Sequence, residues 1–550
     1  MIIKNGMLAG LILLCVAFAL PEAGAQSCYR ISFTDKVHSL ALLDKPATFL
    51  SERSIQRRVR QQIPLEESDL PVSRIYIDSV VNKGALLLHT SRWMNSITVK
   101  MNDDRDISAL SAFGFVKEIE LTRPALPGKK KAAGKFGTPG WLGAIDTSFY
   151  GASAAQVGQL NGHLLHQQGF NGEGIIIAVL DAGFYGVNTL PAFESLRGEG
   201  RIAGTRDFVD PRSDIFGEHP HGMMVLSAMG GLIPGRLAGT APGASYWLIR
   251  TEDDASEYLI EEDNWIAGAE LADSIGADIV NSSLGYSDFD MAEMNHTYAD
   301  MDGSTTRVAR AANMAVSKGM LVFSSAGNEG SNPWQKIISP ADGDSVIAVA
   351  AVNREGIRAA FSSMGPAPDG ALKPDLAAMG QQTALQGANG LVTAMNGTSF
   401  SSPLLAGMAA CLWQAFPGAT ASQVRQAFIR SGRMFHRPDT LLGHGIPDMR
   451  IAFALLAGSQ DIKKAETRYW TLFPNPTEGG FTLLSETGFS GATTVEIYAS
   501  SGALQRKAGF SGPGPHRIAL PGNGTSGLWL LRIISPLGTE VAKVTGVTGK

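Results

Sequence analysis

The central part of this chain, residues 150–457, is predicted to be an α/β domain with a doubly wound, mostly parallel sheet. A small α+β module precedes it and an all-β sandwich follows. Three observations carry the prediction. Residues 175–180 are apolar without interruption, as in a parallel strand buried on both faces. Similar runs recur at 246–249, 279–280, 320–323 and 346–349, with helical patterns such as 306–318 between them; strands alternating with helices make a doubly wound sheet. Loops rich in Gly, Asn and Ser follow several of these runs, and such a sheet keeps its active site at the carboxyl ends of its strands.

Taken in order, residues 1–25 carry Lys4, an apolar run from Met7 to Leu20, and Ala23-Gly24-Ala25. That is a secretory signal peptide cut before Gln26 and too short to span a bilayer. Residues 26–123 form the α+β module. Strand alternation at 29–33, 96–101 and 115–121 brackets a basic helical stretch at 53–60 and a short helix at 107–113 that Asp106 can cap. The run Arg53, Arg57, Arg58, Arg60 reads as a solvated helix face. Residues 124–149 shift to Gly, Pro, Ala and Lys, including Lys129-Lys130-Lys131 and Lys135, which marks a linker open to proteolytic nicking. After the central domain come a polar linker, 458–467, and the sandwich, 468–550. Its strands are expected at 481–484, 494–498 and 528–533, separated by turn signals such as Ser501-Gly502 and Asn523-Gly524.

Composition removes several classes of function. A net charge of -5 over 550 residues argues against a nucleic-acid or anionic-membrane partner. The three cysteines are Cys15 in the signal, Cys28 and Cys411, so an exported protein of this kind has no disulfide framework. Cys28 has no lipobox ahead of it. Stability must come from the core, which a chain 44% hydrophobic with 63 glycines can build with tight loops.

The stretch with the most chemistry is Asn396-Gly397-Thr398-Ser399-Phe400-Ser401-Ser402-Pro403. The segment from Leu404 to Trp413 behind it is apolar on nearly every face, so it must be a helix buried on all sides. Ser399 then sits where a loop enters that helix, with Pro403 tolerated in the first turn. Free N–H groups at a helix head suit a developing oxyanion. Asp181 ends the apolar run at 175–180. His219-Pro220-His221-Gly222 opens another apolar helix, and no third ligand at metal spacing accompanies the two histidines. Asn328 lies in the loop Ser324-Ser325-Ala326-Gly327-Asn328-Glu329-Gly330. Each alone is a turn or cap residue. Together they supply an orienting carboxylate, a base, a nucleophile and an amide donor, in the chain order Asp, His, Ser.

On these residues the sequence resembles the subtilases, the subtilisin-like serine proteases. The matching blocks are Val179-Leu180-Asp181-Ala182-Gly183, His221-Gly222-x-x-Val225, Ser325-Ala326-Gly327-Asn328 and the octapeptide at 396–403. Segments 239–244 and 277–285 support them. The resemblance implies Ser399 as nucleophile, His221 as base, Asp181 as its orienter and Asn328 as oxyanion donor, with His219 at the rim. It implies substrate contacts at Ser283, Leu284, Gly285, Ser325, Ala326 and Gly327. These segments carry no charge, so large apolar side chains are expected on the acyl side of the cut. The module at 26–123 stands where subtilases carry an inhibitory propeptide, with self-cleavage expected between Leu126 and Tyr150. The region 468–550 resembles the sorting domain of type IX secretion cargo.

The family usually has Ser or Thr where this chain has Ala182 and Thr where it has Met223, so support of the triad is expected to differ. The expectation is a secreted or surface serine endopeptidase made as a zymogen, exported through the periplasm and outer membrane. It acts as a monomer on polypeptides, engages the type IX machinery, and needs no cofactor; ligands for a structural calcium are not named by the sequence. The alternative is a catalytically idle surface binder on the same fold. An α/β-hydrolase esterase would need a Gly-x-Ser-x-Gly elbow, which Ser399 lacks.

Overall fold

The computed structural model describes residues 26–101, 107–125, 136, 138–139 and 149–457. In the C-terminal region it describes 469–473, 477, 479–485, 489, 491–499, 503–512, 514–521 and 527–546. The expected signal segment, most of the linker at 124–149 and the linker at 458–467 lie outside the described residues.

The N-terminal module contains β1 (Cys28–Phe33), α1 (Glu52–Gln61), α2 (Arg74–Val81), β2 (Leu86–Ser91), β3 (Ser96–Lys100) and β4 (Val116–Arg123). Its strands form an antiparallel sheet in the order β2-β3-β1-β4. Alternation sends Ile31, Ile97 and Val99 to one face, where Tyr76, Ile77 and Val80 of α2 cover them. The short strand β5 (Thr138–Pro139) follows in the chain.

The central domain runs β6 (Ile176–Asp181), β7 (Ile202–Asp207), α3 (His221–Gly230), β8 (Ser245–Arg250), α4 (Ile260–Ile275), β9 (Ile279–Ser282), α5 (Arg307–Ser317), β10 (Leu321–Ser325), β11 (Ile347–Val352) and β12 (Leu376–Met379). It continues with β13 (Thr383–Gln386), β14 (Val392–Asn396), α6 (Thr398–Ala415), α7 (Ala421–Ser431) and α8 (Met449–Ala457). Seven strands make one sheet in the order β12-β11-β10-β9-β6-β8-β7, and every neighbouring pair is parallel. The chain enters at β6, runs to one edge, then returns to lay β9 to β12 on the other side. The order therefore reverses between β6 and β9, and a crevice opens beyond the carboxyl ends of those two strands. Asp181 ends the first of them, and Ser283 follows the second.

Helix α6 is buried from Thr398 to Trp413 and packs on the sheet and α3. Because it begins at Thr398, Pro403 is its sixth residue and lies beyond the first turn that the sequence predicts for it.

The arginines of α1 depart from the sequence reading as well. Ser51 caps the helix by accepting from Ser54 N, and the helix packs against α4. Arg57 and Arg58 are then 1% and 3% exposed, both paired with Asp273 of α4, which is itself fully buried. Arg58 Nη1 and Nη2 lie 2.8 and 2.9 Å from the two Asp273 oxygens. Arg92, from the turn between β2 and β3, completes the cluster. The module thus sits on α4 through buried charge, and through Cys28, Leu88 and Leu121 against the cluster that holds Trp265 and Ala269. A solvated face becomes a docking face because the acidic partners lie on a distant helix.

The C-terminal region contains β15 (Trp470–Phe473), β16 (Gly480–Ser485), β17 (Thr493–Ala499), β18 (Leu504–Phe510), β19 (His516–Ala519), β20 (Gly527–Ser535) and β21 (Gly538–Gly546). They form antiparallel sheets in the orders β15-β16-β19 and β18-β17-β20-β21. Trp470, Phe481 and Leu483 of one sheet meet Val495, Ile497, Leu531 and Ile533 of the other in a common core, which makes this a sandwich. It touches the central domain where Leu484 packs on Ala454 of α8. Among the described residues, no helix is long and apolar enough to cross a membrane.

Candidate active site

Asp181 comes off the end of β6 and His221 opens α3. The two heads meet because Gly222 has no side chain: a Cβ there would lie 2.5 Å from Gly183 O and 2.8 Å from Asp181 Cβ. His221 Nδ1 and Asp181 Oδ1 are 2.7 Å apart, with side-chain exposures of 1% and 0%. Asp181 Oδ1 also accepts from Ala182 N at 2.8 Å. Among the described residues, Asp181 Oδ2 and His221 Nε2 have no hydrogen-bond partner.

Ser399 lies in the first turn of α6, and the ring of its neighbour Phe400 is 5.7 Å from that of His221. Ser399 Oγ donates to the carbonyl oxygen of Ser283 at 3.3 Å. The Ser399 carbonyl, in turn, accepts from Ser283 Oγ at 2.8 Å. Ser283 Oγ is held by Asn281 Nδ2 at 3.1 Å, and Asn281 Oδ1 accepts from Ser402 Oγ at 2.9 Å. Asn328 Oδ1 accepts from Thr398 N at 2.9 Å and Thr398 Oγ1 at 3.0 Å. With its oxygen engaged, Nδ2 is the arm left to donate toward a ligand.

A cleft of about 820 Å³ opens over these groups. Ser283, Leu284, Gly285, Ser325, Gly327, Asn328 and Ser399 line it. Ala326 does not; it turns inward to pack with Ile337 and Ala367. His219 stands on the cleft wall as expected and has a second role, accepting from His221 N at 3.3 Å to cap the head of α3. Burial and the neighbouring His221 push its pKa down.

Two features were missed from sequence. Arg250 ends β8 and donates from Nε to Ala182 O at 3.0 Å, while Asp207 and Glu218 hold its other nitrogens at 3.1 and 3.2 Å. It fixes the loop that carries Asp181, and its only signal was a charge closing an apolar strand. The other is Phe136, whose ring lies 4.4 Å from that of His219 and 5.0 Å from that of His221. Just beyond it, β5 pairs antiparallel with β14, Pro139 against Met395 and Thr138 against Asn396. Phe136 and β5, the described residues between the N-terminal module and position 149, therefore lie beside the site.

Among the described residues, Glu252, Glu257 and Glu261 bring one oxygen each within 4.8 Å of the others, the grouping whose donors suit a cation. Tyr286 Oη donates to Glu252 within it.

The sequence model described as the Subtilase family matches residues 172–445, and that described as the Peptidase S8 propeptide domain of Bacteroidota matches 28–135. Subtilisin NAT of Bacillus subtilis subsp. natto is 31% identical over 275 residues, 49% of this chain and 63% of the relative. Subtilisin of Bacillus pumilus is 30% identical over 275 residues, 49% of this chain and 87% of the relative. The chain thus spans a little under two thirds of the length of some of these relatives and most of others. A crystal structure of MycP1 from Mycobacterium smegmatis superposes with a TM-score of 0.45 at 21% identity, covering 62% of this chain and 93% of that one. By sequence, the chain belongs to the subtilase family.

Proposed function

We propose that the protein is a secreted serine endopeptidase, made as a zymogen, that hydrolyses polypeptides through Asp181, His221 and Ser399 with Asn328 as oxyanion donor. The observation that carries the reading is the 2.7 Å bond between Asp181 Oδ1 and buried His221 Nδ1. An imidazole whose Nδ1–H is held by a carboxylate keeps its lone pair on Nε2, and that atom is unpartnered among the described residues. For the reaction Ser399 Oγ leaves the Ser283 carbonyl and bonds Nε2; such bonds are commonly unmade before substrate binds. Oγ attacks the peptide carbonyl carbon and its proton passes to Nε2. Asn328 Nδ2 and the Ser399 N–H stabilise the oxyanion. The C–N bond breaks, the amine takes the proton from His221, and water repeats the sequence on the acyl-enzyme.

The zymogen reading is supported by the propeptide match and by Phe136 lying against His221. Export is supported by the signal pattern at 1–25 and by the resemblance of 468–550 to type IX sorting domains. Labelling with a fluorophosphonate probe, lost in Ser399→Ala, tests the mechanism; undiminished casein cleavage by that variant rules it out. The idle-binder reading is favoured by the bond from Ser399 Oγ to Ser283 O, and a folded, processed wild type that the probe does not label would establish it.

A further inference from the structure

The cleft over Ser399 is lined by 22 residues, and six of them are acids: Asp253, Asp254, Glu257, Asp288, Asp290 and Glu329. No lysine or arginine is among the described lining residues. In a chain whose net charge is only -5, six carboxylates in one cleft are a local concentration. They sit on constrained loops. Glu257 N donates to Asp290 Oδ2 at 3.1 Å and Asp290 N to Glu257 O at 2.9 Å. Asp253 accepts from Ala255 N at 3.1 Å and Ser256 Oγ at 3.2 Å. Glu329 N donates to Ser363 Oγ at 3.0 Å.

A cation of the N-terminal module already approaches this wall: Arg123 Nη1, at the end of β4, is 3.8 Å from Asp253 Oδ2. Thirteen positions further on, Phe136 lies over His221. Between those two positions the sequence reads Pro-Ala-Leu-Pro-Gly-Lys-Lys-Lys-Ala-Ala-Gly-Lys, with Lys129, Lys130, Lys131 and Lys135 and no acid. Chain direction decides which side of the cut meets the acids. Residues C-terminal to Phe136 are held along β14. A substrate laid through the cleft in the same direction presents its acyl side to the remaining walls.

Ile338 packs against two of the uncharged wall positions: a Cβ on Gly285 would meet its Cδ1 at 2.2 Å, and one on Gly327 at 3.1 Å.

We propose that the cleft selects peptide segments with lysine or arginine on the acyl side of the cut, and that Asp253, Asp254, Glu257, Asp288, Asp290 and Glu329 do the selecting. The proposal rests on the hydrolytic reading of Ser399 and names its substrate class; the chain's own lysine run is the first such substrate. Opposite charge across the cleft attracts the right peptide, and like charge rejects an acidic one. Asp254 and Asp288 are exposed and the other four half-buried, so salt screens part of the attraction.

The test uses the processed full-length enzyme and fluorogenic peptides that differ only in acyl-side Lys, Leu or Glu. The Lys peptide should exceed the others in kcat/KM by about tenfold or more at low salt, with the ratio shrinking in high salt. The double variant Asp254→Asn, Glu257→Gln should lower the Lys-to-Leu ratio several-fold. Equal or better cleavage of the Leu or Glu peptide by an enzyme that digests casein overturns the substrate class and leaves the hydrolytic reading standing. An unchanged ratio in the double variant overturns the assignment to these carboxylates. An enzyme that neither digests casein nor takes the fluorophosphonate label sinks both readings.

Discussion

Ser283 Oγ donates to the backbone carbonyl of Ser399 at 2.8 Å. That carbonyl would ordinarily accept from the N–H four residues on, but position 403 is proline and has none. Ser283, on the loop after β9, supplies the missing donor from across the crevice. The proline thus opens helix α6 at the turn that bears Ser399 and ties it to the neighbouring loop.

Ser283→Ala should therefore leave the fold intact and loosen the position of Ser399. Loss of one neutral hydrogen bond is worth about 0.5–1.5 kcal/mol, so kcat is expected to fall about two- to tenfold with KM little changed. Acylation rates from burst kinetics check this, and an unchanged rate would show that Asn281 and Ser402 hold the turn without it.

Asn328→Ala should lower kcat by about 10²–10³, the usual cost of one oxyanion donor, with substrate binding roughly intact. Steady-state kinetics on a single peptide separates the two parameters. A loss confined to KM would make Asn328 a loop residue that only anchors Thr398.

The grip of the N-terminal module on α4 should depend on pH with a defined sign. Burial pushes the Asp273 carboxyl up, but Arg58, Arg57 and Arg92 outweigh it and hold the group at about 2 rather than 3.8. A depressed carboxylate stabilises above its ordinary pKa and loses that contribution as pH falls toward about 2. Glu270, one turn away and accepting from Ser91 Oγ and Arg92 N, is pushed up by burial, and its contribution fades instead as pH rises past its raised value. Asp273→Asn leaves buried guanidiniums uncompensated, a cost of about 3–5 kcal/mol. Unfolding of the Ser399→Ala precursor between pH 5 and pH 2 should show the acid-side loss, and Asp273→Asn should remove it. An identical pH profile in both would place the linkage elsewhere.

Deleting residues 469–550 removes a unit with its own core, joined to α8 at the Leu484–Ala454 contact. Peptide hydrolysis by the refolded remainder should persist, while the protein accumulates in the periplasm. Normal appearance of the truncated form in the medium would reject the sorting role for the sandwich.

By itself, the sequence determined what depends on neighbours along the chain. The apolar runs at 175–180, 320–323 and 346–349 became β6, β10 and β11 within two residues at each end, except β11, which runs on to Val352, because uninterrupted apolar runs have no alternative to burial. Asp181, His221, Asn328 and Ser399 stood out as candidates because each stands at a strand end or helix head in a recognisable local block. Only the tertiary structure decided what depends on surfaces distant in sequence. Arg57 and Arg58 read as solvent-facing until Asp273, more than 200 positions away, neutralised them in a buried contact. Pro403 read as a first-turn residue until Ser283 supplied the donor that lets it sit deeper in α6. The charge of the cleft follows the same rule: the segments that resemble pocket walls, 283–285 and 324–327, are neutral, and five of the six carboxylates arrive on segments 253–257 and 288–290, with Glu329 just past the second wall. Periodicity reports burial along one element, whereas an ion pair or a cleft wall is a property of two elements brought together, and nothing in either segment alone encodes the other.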